Sequence, residues 1–338
     1  MVHSKGQVRC AALTMMSITI GVLLYEGWAY NVVFLARMLP AVGKSIFVLP
    51  LAVIFNSVWF LAVWSYIRAH LVNPGFVPTK WHTFVKQAGN ALPIAPSRAE
   101  WQPGKVTFCH KCEIPRPERA KHCKICETCI LRMDHHCPWI NNCVGFNNHK
   151  FFLLVGIYSG MACIVALGTA MPEIARCVGM LISLQKGNRF AWGDEVRGLE
   201  LADFIVFLVF GCLALVVFVL LVPLLCTHVS LAMRNVTSIE ENYDNMPNPF
   251  DQGSASANLA HIFGAFGPDW FVPIAPRRPL TDGVSFHSSD DAQLSGASHL
   301  QPEQIWQQRF NVPSAALLPL EQRDKGILTV LANWLQWP

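Results

Sequence analysis

The chain has 338 residues, of which 52% are hydrophobic and only 14% charged, with a net charge of +4. A soluble protein carries about 25% charged residues, so an ordinary soluble enzyme is excluded. The weak positive charge likewise offers no electrostatic footprint for nucleic acid.

The charge deficit is concentrated in four apolar blocks, which predicts an α-helical polytopic membrane protein. Residues 1–9 form a short head bearing Lys5 and Arg9. The first block, 10–35, is apolar apart from Glu26 and has no small-x-small cleavage site before it, so it reads as an uncleaved signal anchor. The second, 46–67, has no charge. The third, 151–171, is rich in Gly and Ala, and the fourth, 204–233, contains Pro223. About 20 apolar residues cross a bilayer core, and lipid leaves the backbone no alternative to the helix. Four transmembrane helices are expected. Their span lengths near 21 residues favour a thinner endomembrane over the plasma membrane.

Basic residues set the orientation. Arg68 to Lys150 carries twelve basic residues against five acidic, while the link between the first two blocks holds only Arg37 and Lys44. Four spans then put both termini and this middle segment on one side, the cytosol. The sequon Asn235-Val236-Thr237 is silent in that orientation. Residues 68–108 hold Pro74, Pro78, Pro93, Pro96 and Pro103 without an apolar period, and read as a linker over the membrane surface.

Seven of the twelve cysteines fall between Cys109 and Cys143. Cys109/Cys112 and Cys123/Cys126 are C-x2-C pairs, the spacing at which a turn aims two thiolates at one metal. Cys129, Cys137, Cys143, His122, His135 and His136 complete ten donors. Two tetrahedral zinc sites consume eight, which leaves one Cys and one His. A spare Cys beside a His and an Asp is the material of an activated nucleophile. The count does not select the pair. A zinc module used only for binding is the competing reading. A RING-type cross-brace would need a closing C-x2-C pair, and this run ends on the single Cys143. Reduced cytosolic thiols argue against a disulfide cluster.

The pattern C-x2-C-x9-H-C-x2-C-x2-C-x4-D-H-H-C-x5-C, followed by VGFNNHKFF, resembles the cysteine-rich domain of the DHHC family of membrane protein S-acyltransferases, over residues 109–152. The resemblance implies that Cys109, Cys112, His122 and Cys129 hold one structural zinc and Cys123, Cys126, His136 and Cys143 the other. Cys137 would carry the acyl group, His135 would be its base, and Asp134 would orient His135. It implies a protein S-palmitoyltransferase that moves a long fatty acyl group from palmitoyl-CoA, or another long-chain acyl-CoA, through Cys137 to cysteines of membrane-associated substrate proteins. A catalytically silent zinc adaptor at the bilayer is the alternative, and the presence of Asp134, His135 and Cys137 counts against it. Arg116, Arg119 and Lys121 are candidates for the CoA phosphates, although a basic run is more often a solvated face.

Three shorter matches flank this domain. Asn73-Pro74-Gly75 is similar to the family's Asp-Pro-Gly motif with Asn for Asp. Thr237-Ser238-Ile239-Glu240 is similar to T-T-x-E with Ser second, and also reads as a capping box. Asn248-Pro249-Phe250 through Asn258 resembles the C-terminal aromatic motif of region 234–280. Beyond it Leu259, Ile262, Phe263 and Phe266 share a helical face, expected against the cysteine-rich module or the membrane surface. Small residues Gly156, Ser159, Gly160 and Ala162 suit either an acyl-chain cavity or helix contacts. His228 is expected to hydrogen-bond locally. Residues 281–338 read as a flexible tail, with a terminal amphipathic helix over 326–337.

Overall fold

The computed structural model describes residues 5–185, 198–286 and 301–317, so the terminal helix expected over 326–337 lies outside the described residues. Four helical stretches are long and apolar enough to cross a membrane: Cys10–Ala41, Ser45–Leu71, His149–Ser183 and Leu201–Met233. The first comprises α1 (Lys5–Trp28), a π-helical stretch (Ala29–Met38) and a last turn, α2 (Leu39–Ala41). The others are α3 (Val48–Leu71), α5 (His149–Gln185) and α6 (Leu201–Met233). The helix expected over 151–171 continues through Pro172 to Gln185. These spans exceed the minimum for crossing, so their length carries no preference for a thin endomembrane.

The helices meet on an aromatic core. Tyr30 stacks on Phe55 with ring centroids 3.8 Å apart, Phe34 stacks on Phe207, and Tyr30 shares a hydrogen bond with Thr169. Asn31 and Asn56 exchange side-chain hydrogen bonds between α1 and α3, which satisfies both amides inside the apolar bundle. At the far end, Arg37 pairs with Asp203 and Lys44 with Glu173. A Cβ on Gly156 would lie 2.8 Å from Leu225, so that glycine serves close approach of α5 and α6.

Between α3 and α5 sits a compact module of short strands. β2 (Val106–Cys109) pairs with β3 (Ile114–Arg116), β4 (Lys121–Cys123) with β5 (Thr128–Ile130), and β6 (His135–Cys137) with β7 (Asn142–Val144), all antiparallel. β1 (Ile94–Ala95) adds to β2 in parallel. The three hairpins are congruent: Cys109 faces Ile114, Cys123 faces Thr128 and Cys137 faces Asn142, a register that advances by 14 residues each time. Glu113, Glu127 and Asn141 adopt positive φ at the same place in each turn. This internal repeat goes beyond the paired C-x2-C units visible at first reading.

Two segments differ from expectation. The linker contains α4 (Thr79–Ala88), and residues 301–317 of the expected flexible tail include α8 (Pro302–Arg309). Trp81 and Phe84 of α4 pack edge-on against Trp306, and Trp81 also meets Phe310. Arg309 then clasps the buried carboxylate of Glu118. Each helix is too short to show a period, and its partner lies over 200 residues away in sequence. The apolar stripe of α7 (Ala255–Phe263) packs not on the module but among α3, α5 and α6, where Ile262 and Phe263 join Ala62, Leu154 and Ala232.

Asn73 shows why its motif tolerates an amide. Its Oδ1 accepts from the amides of Gly75 and Phe76, closing a turn at φ 114 for Gly75, whose carbonyl accepts from Leu131. An acceptor is needed there, not a charge.

The segment after α6 is tied to the module by Arg119. Its guanidinium donates to both oxygens of Glu240 and to Asn235, and lies over the rings of Phe250 and Phe286. Burial opposes ionisation of Glu240, but Arg119 overrides it and holds that carboxyl below the usual range. Removing one partner of a buried pair costs about 3–5 kcal/mol. Arg119→Ala is therefore expected to lower the thermal midpoint of the detergent-solubilised protein sharply. Replacing Arg119 and Glu240 together with Met and Leu should recover much of that loss.

Candidate active site and metal clusters

The first two hairpins aim their turns at donor clusters. Cys109, Cys112, His122 and Cys129 converge so that all four ligand atoms lie within 4.8 Å of one another, and Cys123, Cys126, His136 and Cys143 do the same. In the first, Nδ1 of His122 is 3.2 Å from Cys112 Sγ and 3.6 Å from Cys109 Sγ. In the second, Nδ1 of His136 is 3.4 Å from Cys126 Sγ and 3.5 Å from Cys143 Sγ. Zinc bonds of about 2.3 Å to sulfur and about 2.0 Å to nitrogen put tetrahedral donors about 3.5–3.8 Å apart. Both sets fit a zinc ion closed by four protein ligands. The second set is the first displaced by 14 residues at every position.

The third hairpin breaks the series. Cys137 occupies the place of Cys109 and Cys123, but Ile140 stands where Cys112 and Cys126 supply the second thiol. Cys137 joins neither four-donor cluster. It is instead buried with Tyr66, Ala69, Ile140, Val144 and Phe151 at the module end of the bundle. Asn142 fixes this hairpin by donating to the carbonyls of Ala69, His70 and Val72, which the end of α3 leaves without intrahelical partners. Tyr66 donates to Trp139 O, and the His70 ring bonds Ile140 O.

Asp134 lies next to this thiol and is almost fully buried. Its Oδ2 is 2.6 Å from Nδ1 of His135, and its Oδ1 accepts from the Ser238 amide at 2.7 Å. The Ser238 hydroxyl also donates to Asp134 O. Thr237 and Glu240 meanwhile cap each other, so this motif acts both as a cap and as a contact to the module. Burial would raise the Asp134 pKa, but the His135 hydrogen bond, neighbouring imidazoles and the Ser238 amide hold it well below the usual carboxylate range. For His135, burial alone would lower the pKa. The hydrogen bond to Asp134 and the Cys137 sulfur outweigh it and push the imidazole up to about 9. Nδ1–H therefore donates to an ionised carboxylate, which leaves Nε2 for proton exchange.

Sequence reasoning missed several neighbours. His228 of α6 does not bond locally: its Nδ1 lies 3.5 Å from Asp134 Oδ2 and its ring 5.2 Å from that of His135. Phe152 closes edge-on against both imidazoles. Buried Arg132 donates to His149 and to Asn235 Oδ1. Burial, reinforced by Arg119, pushes its guanidinium down to about 9. No short-range pattern marks these residues, whereas the 14-residue step is readable in Cys109, Cys123 and Cys137.

The phosphate candidates are corrected. Arg119 is consumed by Glu240 and Asn235 and is 2% exposed, while Arg116 is buried against Thr107 and Ser97. A guanidinium saturated by internal acceptors has no free donor for a phosphate. The Lys121 ammonium lies over the Tyr243 ring, 5.5 Å from its centroid, and burial lowers its pKa. The sequon residue Asn235 is fully buried, with its amide donating to Phe250 O.

The family model described as DHHC palmitoyltransferase matches residues 102–245. The chain is 31% identical over 300 residues to a probable protein S-acyltransferase 13 of Arabidopsis thaliana, across 85% of this chain and 94% of that protein. The chain belongs to the DHHC palmitoyltransferase family. It is 29% identical over 323 residues to human palmitoyltransferase ZDHHC20, across 87% of this chain and 81% of that protein. Human palmitoyltransferase ZDHHC2 is 25% identical over 98% of this chain and 92% of its own length. Membership makes this integral membrane protein an enzyme of S-acyl transfer, and the resemblance seen in the sequence is confirmed.

The raised pKa of His135 has a consequence for stability. Because it lies above the free-imidazole value of 6.5, its contribution is fully present below about 6.5 and is lost as pH rises through about 9. The stability advantage of wild type over His135→Ala is thus expected to shrink across that window. Thermal midpoints measured from pH 6.5 to 9.5 check it.

Proposed function

We propose that Cys137 is the acyl-accepting nucleophile of this S-acyltransferase, that His135 is its base, and that Asp134 orients His135. The observation that carries the reading is the Asp134–His135 pair beside the one cysteine of the module left out of the two four-donor clusters among the described residues. A thiol near its ordinary pKa is mostly protonated at neutral pH, so it needs a base. Cys137 passes its proton to His135 Nε2 as its sulfur attacks the thioester carbonyl of a long-chain acyl-CoA. The carbon–sulfur bond to CoA breaks, and CoA thiolate leaves with the proton from His135. A cysteine thiol of a membrane-associated substrate protein then loses its proton to the same imidazole and attacks the Cys137 thioester. That second exchange frees Cys137 and completes the transfer. Each half trades one thioester for another, which suits a covalent intermediate.

Burial of Cys137 against the ends of α3 and α5 supports an acyl chain lying along the bundle while its thioester stays at the module. The two clusters each hold one structural zinc, which when bound fixes the knuckle turns rather than meeting substrate. The module faces the cytosol, where thiols stay reduced and acyl-CoA is soluble.

Two experiments test this reading. Purified protein incubated with a clickable palmitoyl-CoA analogue should take up hydroxylamine-labile label, and Cys137→Ser should take up none. Equal labelling of both would return the silent adaptor as the better account. Zinc in closed sites is coupled to folding by about 10 kcal/mol or more in small zinc modules. Stripping it with a strong chelator should therefore expose residues 102–145 to protease while the apolar helices stay protected.

A further inference from the structure

The segment after α7 forms a compact loop over residues 264–278. Its neck is closed by the Ala265 amide donating to Arg278 O. Gly264 has φ +80, and a Cβ there would lie 2.8 Å from that same carbonyl, so only glycine lets the two strands of the neck meet. Inside, Asp269 is buried and accepts from the Arg277 amide. From outside, α5 grips the loop at two heights. Lys150 Nζ donates to the carbonyls of Asp269 and Ile274, and the Tyr158 hydroxyl donates to Phe271 O.

Those two grips measure depth. Tyr158 is nine residues past the first residue of α5, or about 13 Å along the axis at 1.5 Å per residue. The tip of the loop therefore lies beside the apolar part of the span, not above it. At that tip Phe266 is 70% exposed and Phe271 59%, and both pack around a half-buried Trp270. Arg277 and Arg278 are exposed at the neck, and Arg278 reaches across to Phe266 O. Rigidly held aromatics facing outward at hydrocarbon depth, below a pair of exposed arginines, match acyl chains below lipid phosphates.

We propose that loop 264–278 is a lipid-binding wedge. Its aromatic tip enters the bilayer leaflet on the module side, and Arg277 and Arg278 bind anionic phospholipid headgroups at its neck. The wedge fixes the height of α7, and through Asn258, which bonds Met233 O, the height of the segment that contacts Asp134. It does not depend on which cysteine carries the acyl group.

The test places a photo-crosslinking p-benzoylphenylalanine at Phe271 of the full chain, reconstituted with zinc in phosphatidylcholine vesicles with or without phosphatidylserine. Mass spectrometry then identifies the adducts. The same probe at Val219, exposed on α6, reports lipid, and at Ile125, exposed on a hairpin of the module, reports water. The wedge requires lipid adducts at 271 several-fold above those at 125 and comparable with those at 219. It also requires phosphatidylserine to be enriched in them, and that enrichment to vanish in Arg277→Gln/Arg278→Gln. Yields at 271 no higher than at 125, or cross-links to a second copy of the chain, overturn it. Equal capture of the two lipids overturns the headgroup assignment. A readout without the probe is quenching by bromine-labelled acyl chains, which should fall measurably on Trp270→Phe. No change there would also sink the wedge.

Discussion

A carboxylate buried at Asp134 is the constraint around which this protein is arranged. An ionised group out of water must be met by donors on every side, and the donors come from three separate parts of the chain. The adjacent His135 belongs to the module, the Ser238 amide to the segment after α6, and His228 to α6 itself. One charge thus draws together the cysteine-rich module, the last membrane span and the C-terminal region. The geometry of the reactive corner is therefore a property of the assembled fold.

The surrounding scaffold repeats that logic with ion pairs that are both buried and saturated. Glu240 takes two bonds from Arg119, and Glu118 takes two from Arg309 as well as amides of Gly104 and Phe286. Such pairs are weak sources of net stability but severe penalties when half-broken. They make the docking of the module on the C-terminal segments close to all-or-none. The same saturation explains why the basic residues nearest the module are poor phosphate ligands. Their positions in sequence look solvent-facing, yet their donors are already spent.

Much of this was legible in advance, for physical reasons. Membrane spans announce themselves through length and apolarity, and metal knuckles through local spacing, because both are properties of neighbouring residues. The donor sets around His122 and His136 could be counted, and a spare Cys and His foreseen. The partners of Asp134 could not be, since Ser238 and His228 lie roughly a hundred residues away. The docking of α8 on α4 was hidden for the same cause: two short amphipathic turns carry no signal until each finds the other. Arg119 misled because charge in a sequence says nothing about burial.

The three congruent hairpins bear on how a nucleophile is made. In the first two, a second thiol at the fourth place of the turn completes a chelate, and the sulfur at the first place is committed as a ligand. In the third that fourth place is Ile140, and the sulfur of Cys137 keeps the same backbone presentation with nothing to chelate. Reactivity here comes by subtraction: a scaffold built to aim thiolates at a cation is left aiming one at an incoming acyl group. Position 140 is accordingly where structural and chemical fates part, and a donor side chain there would turn the corner back into a trap for soft metals.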